Sequence, residues 1–285
     1  MALNKRIKNP LVTPVVKWVG GKRQLLDEIL PAFPKKFGTY YEPFFGGGAV
    51  LFARQPKKAL INDLNADLIR VYLAIRDNPQ ELIKELKRFE NTKECFYAQR
   101  ELDRDKSSFS KLSDIQKAAR LIYLNKTCYN GLYRVNSAGE FNTPFGAYKN
   151  PNIVNEVTIM AIHAYLTKNE IAITQGDFSA AVETAQKGDF VYFDPPYDPV
   201  STSAAFTGYN EGGFDKKEQI RLRDLCLALV KKGVYVMVSN SATEFIKELY
   251  SKPCFKIKIV KAKRSINSDG SKRGEVDEVL ITSYE

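Results

Sequence analysis

Histidine occurs once in the 285 residues, as His163. A lone imidazole cannot build a triad or fill a site that needs several ring nitrogens, so any proton chemistry here falls to other groups. Cysteine is nearly as sparse. Cys95, Cys128, Cys226 and Cys254 stand far apart with no C-x-x-C pair, so neither zinc-finger spacing nor a disulfide framework is legible. Reduced, buried thiols inside the cell are the expectation. No apolar run approaches the ~20 residues that span a bilayer, and the basic N-terminus lacks the apolar stretch of a signal peptide. The expected location is the cytoplasm, with no membrane partner and no metal.

What the chain does have is size, apolar content and positive charge. With 44% hydrophobic residues it can fill one large α/β core, or that core plus a smaller inserted domain. Lys and Arg number 43 against 33 Asp and Glu, a net charge of +10. Such a surplus suits a polyanion, because neutralising phosphates releases counterions, although plain solubility charge would give the same total. The charge is uneven. Before Lys36 stand Lys5, Arg6, Lys8, Lys17, Lys22, Arg23 and Lys35, opposed by Asp27 and Glu28 alone. Near the other end Lys252, Lys256, Lys258, Lys261, Lys263, Arg264, Lys272 and Arg273 face the single Asp269. The two segments could line one face, or either could be a solvated basic stretch.

Three short runs rich in aromatic and β-branched residues end in a carboxylate or a glycine loop: Tyr40 to Phe45, Ala59 to Asp63, and Asp189 to Asp194. They read as buried strands of an open, mostly parallel sheet whose carboxyl ends carry function. A fourth, Val234 to Val238, follows a helix expected from Asp215 to Lys232. Lys256 to Lys261 and Val276 to Tyr284 read as two more strands around a Gly/Ser-rich basic loop. Between about Leu68 and Tyr165 the periodicity turns helical, with Pro79 to Glu90, Lys93 to Arg104 and Ser113 to Thr127 repeating apolar residues at three-to-four spacing. Tyr129 to Pro144 then offers two extended runs around Asn136-Ser137-Ala138-Gly139, the pattern of a β-hairpin. The fold class is α/β, a Rossmann-like sheet with an inserted helical domain that bears a hairpin. Residues 1–67 and 166–285 form the sheet domain and 68–165 the insert.

Pro43-Phe44-Phe45-Gly46-Gly47-Gly48 follows a strand and precedes a helix, so its glycines either let backbone approach a nucleotide or merely make a tight turn. It is neither a dinucleotide fingerprint nor a P-loop, because the required glycines would fall on Leu51 and Val16. Asp63 stands where an acidic residue accepts ribose hydroxyls, or caps the helix starting near Asn65. Asp177 in Gly176-Asp177-Phe178 has the same two readings. Asp194-Pro195-Pro196-Tyr197 is the strongest signal. Two prolines stiffen the backbone and remove donors, leaving carbonyl acceptors beside a carboxylate and an aromatic plate. An exocyclic amine needs that set, since accepting both its N–H groups returns the delocalised lone pair to nitrogen. The base would have to leave the duplex to be reached.

With Lys17-Trp18-Val19-Gly20-Gly21-Lys22, Asn62-Asp63 and Ser239-Asn240-Ser241 added, the chain resembles the DNA adenine methylase family from about Pro14 to Tyr284. The motifs fall in the order of α-group amino-methyltransferases, and the likeness is greatest to methylases of restriction systems that act at GATC. The resemblance implies a site-specific adenine-N6 DNA methyltransferase using S-adenosyl-L-methionine by direct transfer, with double-stranded DNA as partner. A cognate restriction endonuclease is one setting; an orphan or phage role is another. It implies catalysis by Asp194, Pro195, Pro196 and Tyr197, and cofactor contacts from Trp18, Lys22, Phe45, Gly46, Gly47, Gly48, Asp63, Asp177, Phe178 and Asp194. It implies DNA contacts from Lys17, Tyr129, Asn130, Leu132, Arg134, Pro144 and Tyr148. Ala147 departs from the pattern, since the family often carries arginine there, so one phosphate contact is lacking. Cytosine-N4 or RNA adenine methylation, and a catalytically silent DNA-binding module, are the rival readings. Without the resemblance, Leu132 and Tyr133 read as ordinary hairpin packing.

Overall fold

The computed structural model describes residues 8–200, 214–263 and 275–285. Lys5 and Arg6 of the basic N-terminal stretch, and Arg264, Asp269, Lys272 and Arg273 of the C-terminal one, lie outside the described residues. Seven strands are described: β1 (Tyr40–Glu42), β2 (Lys58–Asp63), β3 (Glu170–Gln175), β4 (Phe190–Phe193), β5 (Tyr235–Ser241), β6 (Lys256–Lys263) and β7 (Glu275–Thr282). The helices are α1 (Leu26–Ile29), α2 (Ala49–Arg54), α3 (Ala66–Asp77), α4 (Pro79–Leu86), α5 (Lys93–Glu101), α6 (Lys106–Ser110), α7 (Asp114–Thr127), α8 (Glu156–Lys168), α9 (Lys216–Lys231) and α10 (Glu244–Leu249).

They divide into two compact units. The first comprises Met1–Gly21, Gly46–Lys57 and Asn65–Gln175; the second comprises Lys22–Phe45, Lys58–Leu64 and Gly176–Glu285.

In the second unit the strand order is β2-β1-β4-β5-β7-β6. The first four run parallel, with Tyr40 opposite both Ala59 and Phe190, and Val191 opposite Val236. β7 is antiparallel to β5 and to β6. All four residues of β4 are buried, as a parallel strand covered on both faces requires. One face packs Tyr41, Val191 and Phe193 against Leu222, Cys226 and Leu229 of α9, and the other sets Tyr40 and Phe190 among Phe33 and Phe37. The chain winds outward from β1 in one direction and from β4 in the other. Their neighbouring carboxyl ends therefore form a topological switch point, the place where such sheets open a crevice. Glu42-Pro43 and Asp194 stand there. The strand expected over Tyr40 to Phe45 stops at Glu42, because Pro43 has no N–H to continue the ladder and the chain turns into the glycine loop.

The first unit is helical, apart from β3. Ser113 and Gln116 close a reciprocal capping box on α7, while Asn65, Thr92 and Asn155 cap α3, α5 and α8. Its core joins Phe96, Tyr123, Leu124, Cys128 and Phe141. The expected hairpin is reduced to one antiparallel bridge, Val135 with Phe141, closed by Asn136. Tyr129–Gly131 is a 3-10 turn rather than an extended run, with Asn130 at φ 57° and Gly131 at φ 62°, which no strand admits.

Candidate active site and nucleic-acid interface

At the switch point of the second unit, Asp194 begins the loop that leaves β4. Its side chain is 16% exposed, and the Nζ of Lys22, itself 8% exposed, lies 2.8 Å from Oδ1. Oδ1 is sealed from solvent and, apart from that ammonium, no hydrogen-bond donor among the described residues is directed at it. Burial pushes the Asp194 carboxyl up to about 6, with the Lys22 charge pulling the other way. The same ammonium sits 4.6 Å from the centre of the Tyr197 ring, whose hydroxyl donates to Glu278 Oε2 at 2.8 Å. Burial, then the Asp194 and Glu278 charges, raise the Tyr197 phenol, so it stays neutral. A buried carboxylate oxygen, the ammonium beside it and a neutral aromatic ring thus share one strand end.

Asn62 ties the neighbouring ends together. Its Nδ2 donates to the Pro43 carbonyl at 3.0 Å and the Gly176 carbonyl at 2.9 Å, while its own carbonyl accepts from Phe45 N–H at 2.8 Å. This sets Phe45, Asp63 and Gly176 at adjacent ends. The capping role weighed for Asp63 belongs instead to Asn65, whose Oδ1 accepts from Leu68 N–H at 2.9 Å. Asp177 does make the turn contacts of a cap, accepting from Ser179 N–H at 2.9 Å. It is also gripped bidentately by Arg221, at 3.0 and 2.7 Å, which holds its carboxyl well below the usual range. Phe178 is buried against Phe44 and Phe214, with the Arg221 guanidinium 4.0 Å over its face.

In the first unit Trp18 lies against the glycine loop. A Cβ on Gly46, at φ +52°, would stand 3.2 Å from Trp18 Cδ1, and one on Gly47 would stand 3.3 Å from the Val16 carbonyl. The glycines therefore serve close packing of this loop on residues 14–18 at least as much as any ligand. The other face of Trp18 stacks on Tyr133 at 4.7 Å. Lys17 donates to the Asn130 carbonyl at 2.6 Å. Lys17, Tyr129, Asn130, Arg134, Pro144 and Tyr148 are exposed and Leu132 is half-buried. Arg134 is steadied by Asn142 Oδ1 at 2.6 Å. Tyr129 N–H donates to the Pro144 carbonyl, and the Leu132 carbonyl accepts from Thr143. Six of these seven residues are thus held within one unit by direct or single-residue links, while the Tyr148 carbonyl accepts from Asn91 at 2.8 Å in the same unit.

The family model of D12 class N6 adenine-specific DNA methyltransferases matches residues 18–266. The chain belongs to that family. It is 46% identical to the Type II methyltransferase M1.LlaDCHI of Lactococcus lactis subsp. cremoris, over 99% of each chain. It is 41% identical to the Type II methyltransferase M.MjaIII of Methanocaldococcus jannaschii, over 96% of this chain and 99% of that one. Identity to the DNA adenine methylase of Escherichia coli K12 is 34%, over 93% of each. This D12 methyltransferase is accordingly an enzyme of adenine-specific DNA methylation.

Several residues that shape the D12 site had no role in the sequence reading. Asn62 was noted only as the neighbour of Asp63, and Arg221 and Glu278 were unremarked. Asn125 was likewise missed: it is 2% exposed, accepts from Lys17 N–H at 2.8 Å and donates to the Lys17 and Gly131 carbonyls at 2.8 and 3.0 Å. A buried asparagine inside α7 amid apolar neighbours was the available signal, since such an amide must find partners.

Proposed function

We propose that this methyltransferase transfers a methyl group from S-adenosyl-L-methionine to N6 of an adenine flipped out of duplex DNA, within GATC. One observation carries the reading: Asp194 keeps a buried acceptor oxygen at the sheet's switch point that meets, among the described residues, only the Lys22 ammonium, which leaves it acceptor capacity for an arriving amine. A buried acceptor of that kind is costly unless something arrives to satisfy it, and an amine is the group that fits.

The donor set suits the cofactor. Its polar parts call for acceptors such as Asp63, Asp177 and Asp194, with Phe178 next to Asp177 in sequence; Trp18, Lys22, Phe45 and Gly46 to Gly48 are the remaining cofactor contacts of this reading. Bound there, the cofactor supplies an electrophilic methyl on a positively charged sulfur. Asp194 and the Pro195 carbonyl each accept one N6 hydrogen, which draws the lone pair out of the ring and onto nitrogen. As the N–C bond forms and the C–S pair returns to sulfur, N6 sheds one proton, and a carboxylate poised near 6 is a competent acceptor for it. Pro196 stiffens the loop, and Tyr197 offers a face for the extruded base.

The same reading gives residues 68–165 the task of target recognition and 1–67 with 166–285 that of catalysis. Arg134 reads a guanine edge, Leu132 a thymine methyl and Lys17 the outer guanine; Tyr129 fills the stack, Asn130 holds phosphate, and Pro144 and Tyr148 complete the surface. The name Type II methyltransferase on the 46% identical relative supports a setting beside an endonuclease of the same target.

The test is transfer from labelled cofactor to a defined GATC duplex, with mapping of the modified base. Asp194→Ala is expected to lose on the order of 100-fold or more in kcat while remaining folded. Normal transfer by that variant, or label on cytosine or on RNA alone, overturns the reading, as does failure to bind the cofactor by calorimetry. Arg134→Ala is expected to relax discrimination at one guanine by about 1–3 kcal/mol, read from rates on substituted duplexes.

A further inference from the structure

Ser239-Asn240-Ser241 ends β5 beside the Asp194 loop, and its asparagine is fully buried without being apolar. Both the oxygen and the nitrogen of that amide are engaged. Oδ1 accepts from Asp198 N–H at 3.0 Å and from Ser241 N–H at 2.9 Å, and Nδ2 donates to Gln219 Oε1 at 3.0 Å. Gln219, 1% exposed within α9, passes the polarity on: its Nε2 donates to the Pro196 carbonyl at 2.9 Å. Beyond it, Ser241 Oγ donates to the Asp198 carbonyl at 2.6 Å, and Thr243 Oγ1, the cap of α10, donates to Asp198 Oδ2 at 2.7 Å.

We propose that Gln219 and Asn240 are positioning residues, a directional pair of amides that clamps the catalytic loop from Pro196 to Asp198 and so aims the Pro195 carbonyl and Asp194 at the reacting amine. The inference rests on the acceptor reading of Asp194 and Pro195 given above. Its logic is geometric. Proline φ is locked at both 195 and 196, so the orientation of the Pro195 carbonyl depends mainly on where the Pro196 peptide is held. Gln219 holds the Pro196 carbonyl, and Asn240 holds the N–H of Asp198, two residues further on. The Gln219 contact also occupies the Pro196 carbonyl, which leaves the one before it as the acceptor for N6. Neither amide can be turned around: a flipped Gln219 would set its oxygen against the Pro196 carbonyl, and a flipped Asn240 would set donor against donor. A small misplacement of such acceptors costs rate steeply, whereas ground-state binding of cofactor and DNA uses other groups.

The experiment compares Gln219→Met, which keeps length and removes the donor, and Asn240→Asp, which keeps both acceptor contacts and removes the donation to Gln219. Each is measured with the full chain on a GATC duplex by single-turnover transfer, alongside KM for the cofactor, duplex affinity and the thermal midpoint. The expected result is a transfer rate lower on the order of 10- to 100-fold, with KM and duplex affinity within about twofold of the parent. A rate within threefold of the parent in either folded variant overturns the proposal. So does a loss that falls on KM or duplex affinity instead of rate, since it makes the amides binding groups. Should Gln219→Met not fold, Asn240→Asp carries the test alone. Asp194→Ala, run in parallel, separates the two layers: if it stays active the acceptor reading fails, whereas if it is dead and the amide variants are normal only the clamp fails.

Discussion

Asp194 is under two opposed demands. Burial favours the neutral acid, whereas the proposed acceptance of an amine hydrogen needs the anion, and the Lys22 ammonium at 2.8 Å offsets part of the burial effect. With the folded carboxyl near 6, transfer is expected to fall as pH drops through about 6, because the protonated form gives up acceptor capacity. Lys22→Met removes the charge and the hydrogen bond that oppose burial, so the carboxyl rises further and the acid limb of kcat, measured at saturating cofactor, moves to higher pH by about 1–3 units. An acid limb that stays in place would show that Asp194 does not set it. The stability sign follows from the same shift. The folded carboxyl binds its proton more tightly than the unfolded one, whose ordinary value is 3.8, so this group supports the fold fully below 3.8 and withdraws that support as pH rises through about 6.

At the scale of elements, the turn Tyr129–Gly131 depends on an amide from the middle of α7. Asn125 holds the Lys17 backbone on both sides and the Gly131 carbonyl besides, and no water reaches it to take over. Asn125→Ala is expected to cost about 2–3 kcal/mol in denaturant unfolding and, on the proposed GATC target, to weaken discrimination against single-base variants, since Lys17 and Gly131 lose their common anchor. A loss under about 0.5 kcal/mol would show that the turn holds itself. What was legible in the sequence divides along the same line. β2, β4 and the end of β1 could be read because buried apolar runs stop at local punctuation: a proline, a glycine triplet, a carboxylate. Caps such as Ser113 with Gln116 and Asp215 were equally local. Gln219, Arg221 and Asn125 could not be read, because a polar residue within a helix looks the same whether it faces water or a loop folded back from far along the chain. The hairpin was over-read for the converse reason: Asn136 and Gly139 make a turn by themselves, but only one residue pair beyond them goes on to form a bridge.

At the scale of the whole molecule, the net charge of +10 bears on association rather than on the fold. A D12 methyltransferase must hold DNA before it can read it, and phosphate contacts do the holding without regard to sequence. Lys17 and Arg134 are two of 43 lysines and arginines, so most of the favourable field must come from basic residues spread along the chain. Two consequences separate. Duplex affinity should fall linearly on a log–log plot against salt, by about 10³–10⁵ between 50 and 200 mM if 6–10 phosphates are engaged. The ratio of affinities for GATC and for a scrambled duplex should change far less over the same range, because hydrogen bonds to base edges release few ions. Arg134→Ala should therefore lower that ratio while taking little from the slope, whereas pairs of Lys→Ala changes outside Lys17, Lys22 and residues 129–148 should lower the slope and leave the ratio nearly intact. Fluorescence anisotropy on the two duplexes across a salt series measures both at once. A slope near zero for the parent would mean that the positive charge serves solubility alone, and that DNA is held through base contacts from the start.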